Sequence, residues 1–110
     1  MAVQTTTITG LVLAPSGSPV TGGRIRARLT GPGTVDDAGT NQKIHGFAEF
    51  AIGANGAVNF ALVPNDVISP AGSIYSVEFN MPDGASWVEF WSLATAPDPI
   101  EIGDITRVNP

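Results

Sequence analysis

The chain has 110 residues, no cysteine, 43% hydrophobic and 14% charged residues, and a formal net charge of −5. That length suits one domain of residues 1–110, and the hydrophobic share is too high for a disordered chain. The missing cysteines exclude disulfides and thiolate metal sites, and the negative balance argues against nucleic-acid binding, which needs a cationic face.

The first seven residues, Met1-Ala2-Val3-Gln4-Thr5-Thr6-Thr7, carry neither the basic nor the apolar region of a secretory signal. No apolar run approaches the length of a membrane span. The expectation is a protein made and folded in the cytosol, with no signal peptide and no membrane partner.

No apolar pattern of helical period persists along the chain, and strand patterns come regularly. After a short arm, 1–6, the first strand is predicted at Thr6 to Leu13. A Gly/Pro-rich reversal follows, and the second strand runs Arg24 to Leu29. It alternates without a fault: Arg24, Arg26 and Arg28 on one face, Ile25, Ala27 and Leu29 on the other. Residues 10–29 therefore read as two strands around a turn, the second with an apolar inner face and a cationic outer one.

Residues 30–42 carry Gly31-Pro32-Gly33 and many polar side chains, and read as a loop. The third strand is expected at Lys43 to Ile52, with Ile44, Ala48, Phe50 and Ile52 on one face and Gly46 on that face marking a bulge or a close backbone approach. Gly53-Ala54-Asn55-Gly56 has hairpin-turn chemistry. The fourth strand, Ala57 to Val63, turns Val58, Phe60 and Leu62 inward. Pro64 to Gly72 is a longer connection. The fifth strand, Ile74 to Asn80, sets Tyr75, Val77 and Phe79 against Ser76, Glu78 and Asn80. The sixth runs Ser86 to Leu93, and a last extended piece, Ile100 to Val108, is broken by Gly103. About seven short, mostly antiparallel strands between turns point to an all-β fold, a single immunoglobulin-like β-sandwich.

The run Ile8-Thr9-Gly10-x-Val12, then Gly17-x-Pro19-Val20-x-Gly22-Gly23-x-Ile25-x-Ala27-x-Leu29, resembles the start of a carboxypeptidase-regulatory-like, or transthyretin-like, β-sandwich. Asn55-Gly56-x-Val58-x-Phe60-x-Leu62 resembles that family's hairpin and following strand. The version is similar to small domains of phage tail-fibre and other virion proteins. It shares Leu62-Val63-Pro64-Asn65-Asp66, Pro70-x-Gly72-x-x-Tyr75, the tryptophans Trp87 and Trp91, and Ile102-Gly103-Asp104-Ile105. The resemblance covers residues 8–106 and implies a transthyretin-like connectivity. It also implies a non-enzymatic virion structural protein, a capsid decoration, head-fibre or tail component, that docks on other virion proteins. Fibre proteins continue into a repetitive shaft, and this sequence stops at Pro110, so a free-standing decoration protein, a small tail adaptor and an excised domain all stay open. So does a homotrimer.

No catalytic constellation, cofactor motif or metal-ligand set is expected. His45 is the sole histidine and reads as an ordinary polar-face residue. No serine lies in a Gly-x-Ser-x-Gly elbow. Asp36-Asp37 and the group Asp98, Glu101 and Asp104 match no EF-hand spacing and read as solvated loop charge.

Trp87, Glu89 and Trp91 share one face of the sixth strand, and Val88 and Phe90 the other. With Val88 and Phe90 in the core, both tryptophans stand outside as interface anchors, or as a stacking platform for a host-surface glycan. With the phase reversed, the tryptophans are core. The glycan platform gives a second functional expectation, a carbohydrate-binding module. Arg24, Arg26 and Arg28 are either exposed partners of Glu49, Glu78 or Glu89, or a docking stripe for an anionic neighbour.

Overall fold

The structure, a computed structural model, describes residues 4–14, 16–37, 39–44 and 46–108. Those residues form an all-β fold of eleven strands. The strands are β1 (Thr6–Leu11), β2 (Arg24–Leu29), β3 (Gly33–Asp37), β4 (Thr40–Ile44), β5 (Phe47–Ala51), β6 (Ala57–Leu62), β7 (Ile68–Ser69), β8 (Tyr75–Asn80), β9 (Ser86–Ser92), β10 (Ile100–Glu101) and β11 (Thr106–Arg107). Single 3₁₀ turns lie at Asn65–Val67 and Ile102–Asp104. No helix among them is long and apolar enough to cross a membrane.

Three sheets result, with strand orders β10-β1-β6, β11-β9-β8-β2-β5 and β4-β3-β7. The β1–β10 pair is parallel; the other named pairs are antiparallel. The first two sheets share one core. Ile8, Val58, Phe60 and Leu62 come from the three-stranded sheet, and Ile25, Ala27, Val77, Phe79 and Trp91 from the five-stranded one.

Alternation explains most of this. β2 buries Ile25 and Ala27 and exposes its three arginines; β8 buries Tyr75, Val77 and Phe79; β6 buries Val58, Phe60 and Leu62. Each strand has one strictly apolar phase, so only one register keeps that phase out of water.

Three expectations are corrected. The reversal in residues 10–29 does not pair two neighbouring strands. β1 pairs with β6 and β10, and β2 with β5 and β8, so the chain crosses from one sheet to the other. Only a stub is hairpin-like, with Val20 N–H donating to the Val12 carbonyl at 3.0 Å. Next, the polar stretch 30–42 is not a loop: β3 and β4 form an antiparallel ladder from Gly33↔Ile44 to Asp37↔Thr40. Val35, 5% exposed, is its one deeply buried side chain among those described, too little apolar content to signal a strand. Finally, the strand expected at Lys43 to Ile52 is two strands in two sheets. Gly46, at φ 78°, turns the chain between them in a conformation L side chains rarely adopt.

The two long sides of the sandwich are closed differently. On one, residues 93–107 stitch the sheets together. Ile100 pairs with Ile8 of β1, Thr106 pairs with Ser92 of β9, and Ile102 and Ile105 are buried in the shared core. Pro64-Asn65-Asp66 holds the start of that segment. The Asn65 side-chain oxygen accepts from Leu93 N–H at 2.7 Å, and Asp66 accepts from the Thr95 N–H and hydroxyl at 2.9 and 2.6 Å. On the other side β5 turns directly into β6, and both stand at sheet edges. Phe50 and Phe60 stack there at 4.4 Å between centroids.

The turn between β5 and β6 depends on Gly56. Its φ is 82°, and a Cβ there would sit 2.7 Å from the Val12 carbonyl oxygen. Gly84 has a similar φ, 89°, with open space around it. Gly84→Ala is expected to cost about 1 kcal/mol, the strain of that conformation alone. Gly56→Ala should cost at least about twice as much, because a backbone oxygen must also move. Urea unfolding midpoints of the two variants give the comparison.

Candidate functional site

The register of β9 decides where the tryptophans go. Tyr75, Val77 and Phe79 of β8 face the core, and their partners across the ladder are Trp91, Glu89 and Trp87. Cross-strand partners lie on the same face of a sheet. Trp91, Glu89 and Trp87 are therefore on the inward phase, and Leu93, 1% exposed, continues it. Trp91 is 0% exposed, and Val88 stands outside at 49%. The arrangement with both tryptophans outside is corrected: Trp91 is a core residue, and no double-tryptophan platform forms. Trp87, at the end of the strand, keeps 39% of its surface and stacks on Phe79 at 4.7 Å with rings 6° from parallel.

Glu89 is thus a carboxylate aimed inward, and its surroundings satisfy it. Trp87 Nε1 donates to Oε2 at 3.0 Å, Trp91 Nε1 donates to Oε1 at 2.9 Å, and Arg107 Nε donates to Oε1 at 2.8 Å. The remaining Arg107 nitrogens donate to the Ile105 and Ile102 carbonyls at 2.9 and 3.2 Å. Burial pushes the Glu89 carboxyl up, but the indole donors and the Arg107 guanidinium outweigh it and leave the pKa below its ordinary 4.5. Sequence reasoning missed Arg107 in this role, because its partner lies eighteen positions away on a strand whose phase was open.

Beside this network lies a cleft of about 190 Å³, lined by Leu11, Leu13, Trp87, Ile102, Glu89 and Arg107. Leu11 and Leu13 are 54% and 52% exposed. The signal for them was in the sequence. The outward phase of the first strand changes from Thr7 and Thr9 to Leu11 and Leu13, polar to apolar. Three large apolar side chains, Leu11 on β1, Trp87 on β9 and Leu13 in an isolated bridge to Pro19, are rimmed by an ion pair and make a concave apolar patch.

The arginine stripe divides. Arg24 and Arg26 both reach Glu49, at 3.5 and 3.2 Å, with 64% and 44% of their side chains exposed. Exposed pairs of this kind contribute about 0–1 kcal/mol. The Arg26 guanidinium also lies 4.2 Å from the centroid of the Phe47 ring. Arg28 differs: its cross-strand neighbours are Phe47 and Ser76, and it has no ion pair among the described residues. Glu78 lies across from Arg26 and makes no ion pair there, and Glu89 belongs to Arg107.

His45 lies outside the described residues. Among the described residues no three His, Asp or Glu side chains converge on a point that would hold a metal ion. No family model, curated protein or solved structure matches the chain.

A carboxyl whose pKa is depressed on folding adds stability above its unfolded pKa and ceases to add it as pH falls through the folded value. Glu89 is the inward-facing case here. Glu89→Gln leaves the two indoles and Arg107 sharing one neutral acceptor, and should cost about 1–3 kcal/mol near pH 7. The wild-type midpoint should fall steeply as pH drops below 4.5, the variant's less so, and the two should converge in acid. Urea titrations across that range read the difference directly. Asp66 titrates in both proteins and cancels.

Proposed function

We propose that this chain is a non-enzymatic phage virion protein, a capsid decoration, head-fibre or tail component, that works by docking on other virion proteins. In this reading the fold is a variant of the transthyretin-like, immunoglobulin-like β-sandwich, with the β3–β4–β7 sheet added to it. The observation that carries the proposal is the cleft of Leu11, Leu13 and Trp87. An apolar centre with a polar rim is the usual anatomy of a protein interface, and tryptophan is its most common anchor.

The anchor is pre-set. The Glu89 hydrogen bond and the Phe79 stack hold the Trp87 ring in place before any partner arrives. Docking then loses little side-chain freedom, which raises affinity for a given contact area. The sequence motifs shared with virion domains, and the low content of charge, support the same reading. Trp91 serves the fold rather than the partner.

The experiment is mass spectrometry of purified particles of the phage whose genome encodes the chain, followed by binding of the purified protein to particles lacking it. Stoichiometric presence and micromolar or tighter rebinding are expected; absence from the particle overturns the proposal. Leu13→Asp puts a charge into the cleft without touching the core. It should weaken rebinding by at least about thirtyfold, the loss of one anchor residue at an interface centre, with the unfolding midpoint unchanged.

A further inference from the structure

The chain has five basic residues in all, against ten acidic ones. Arg24 and Arg26 are paired with Glu49, and Arg107 with Glu89. The two that remain without an ion pair among the described residues are Arg28 and Lys43. They lie on different strands in different sheets, β2 and β4, yet both line one cleft of about 420 Å³ that also exposes Phe47. In an acidic protein, two cations that line one cleft without an ion pair among the described residues favour an anion there.

The cleft has a second chamber of about 230 Å³. Arg28, Leu29, Ile44, Gly46 and Phe47 line both, so the chambers adjoin. The second chamber opens between the sheets on the side where β5 and β6 are edges. Beyond those shared residues its walls are Ala27, Ala48, Ala61, Leu62 and Val63, with Thr5 and Tyr75 the two that carry hydroxyls. The Tyr75 hydroxyl is already used: it donates to the Val63 carbonyl at 2.6 Å, and burial pushes its pKa up to about 12. That chamber asks for an apolar occupant. The chemistry is divided between the two, charge in one and mostly hydrocarbon in the other, as in ligand sites where a few polar groups orient an apolar body.

We propose that the cleft lined by Arg28, Lys43 and Phe47, with its adjoining apolar chamber, binds a small amphipathic carboxylate, with its carboxylate at Arg28 and Lys43 and its hydrocarbon portion against Leu29, Ala48 and Leu62. A guanidinium suits a carboxylate in bidentate geometry, and the Lys43 ammonium adds a second charge. The site is separate from the Leu11, Leu13 and Trp87 cleft and does not depend on the docking reading.

Octanoate is the probe, with acetate as the head alone and 1-octanol as the tail alone, titrated into the whole chain and followed by amide chemical shifts. Saturable shifts confined to residues around Arg28, Lys43, Phe47 and Ala48 are expected with octanoate. Acetate and 1-octanol should each bind at least about tenfold more weakly, since each lacks one of the two contributions. Arg28→Gln and Lys43→Gln should each weaken octanoate by about three- to tenfold and leave 1-octanol unchanged. Both residues are exposed, and either variant suffices for the test. The proposal is overturned if octanoate gives no saturable shifts, if the shifts fall elsewhere, if 1-octanol matches octanoate, or if neither substitution weakens binding.

Discussion

The Glu89 carboxylate faces inward on β9, and the way it is satisfied organises the rest of the molecule. A partly buried carboxylate without donors is costly, so its neighbours must supply them. Three do: the indoles of Trp87 and Trp91, and the guanidinium of Arg107. Each donor is thereby given a fixed place. Trp91 is held in the core, Trp87 at the rim, and Arg107 against the carbonyls of Ile102 and Ile105. The last contact draws residues 102–107 onto the sandwich and lets β11 pair with β9. One carboxylate thus joins the five-stranded sheet to the segment that closes its side.

That closure leaves the sandwich asymmetric. The stitched side carries β10, β11 and the two buried isoleucines of the C-terminal segment. The other side has two edge strands, β5 and β6, joined by a tight turn and filled by the Phe50–Phe60 stack. Natural edges avoid sticking by being short and by carrying charge. β5 is five residues long and carries Glu49, which two arginines hold in place on the outer face. The salt bridges contribute little to stability, but they keep charge beside an edge otherwise made of Phe and Ala.

Legibility in the sequence followed one property, whether a strand has a single apolar phase. β2, β6 and β8 do, and their buried and exposed residues were readable one by one. β9 has large apolar groups on both phases, and its single carboxylate lies on the buried one. The usual sign of an outer face therefore pointed the wrong way. Only the ladder with β8 resolves it, and pairing partners are not written in a strand's own residues. β3 and β4 failed for the opposite reason, having too few apolar positions to show a period. The motifs behind the family resemblance turn out to do structural work in this chain. Pro64-Asn65-Asp66 anchors residues 93–95, and Gly56 makes a turn only glycine fits. Such motifs inform on fold and say little about a partner. Arg24, Arg26 and Arg28 looked equivalent along the strand and are not, because Glu49 comes from a neighbouring strand and reaches only two of them.

The ladder also separates the two candidate surfaces. Trp87 stands in the row Phe79, Ile25 and Phe50, and the Arg28–Lys43 cleft in the rows of Phe47 with Arg28 and of Tyr75 with Leu29. Three to four residues along β2 divide these rows, roughly 10–13 Å at the rise of an extended strand. Over that distance, with no shared side chain, perturbations at one surface are expected to add to those at the other rather than couple. The charges are divided in the same sense. Near Trp87 the guanidinium of Arg107 is spent on Glu89, leaving an apolar centre with a neutralised rim. At the opposite end no carboxylate among the described residues has claimed Arg28 or Lys43. A neutral apolar partner suits the first surface and an anion the second, and the register of β2, β5, β8 and β9 keeps the two apart.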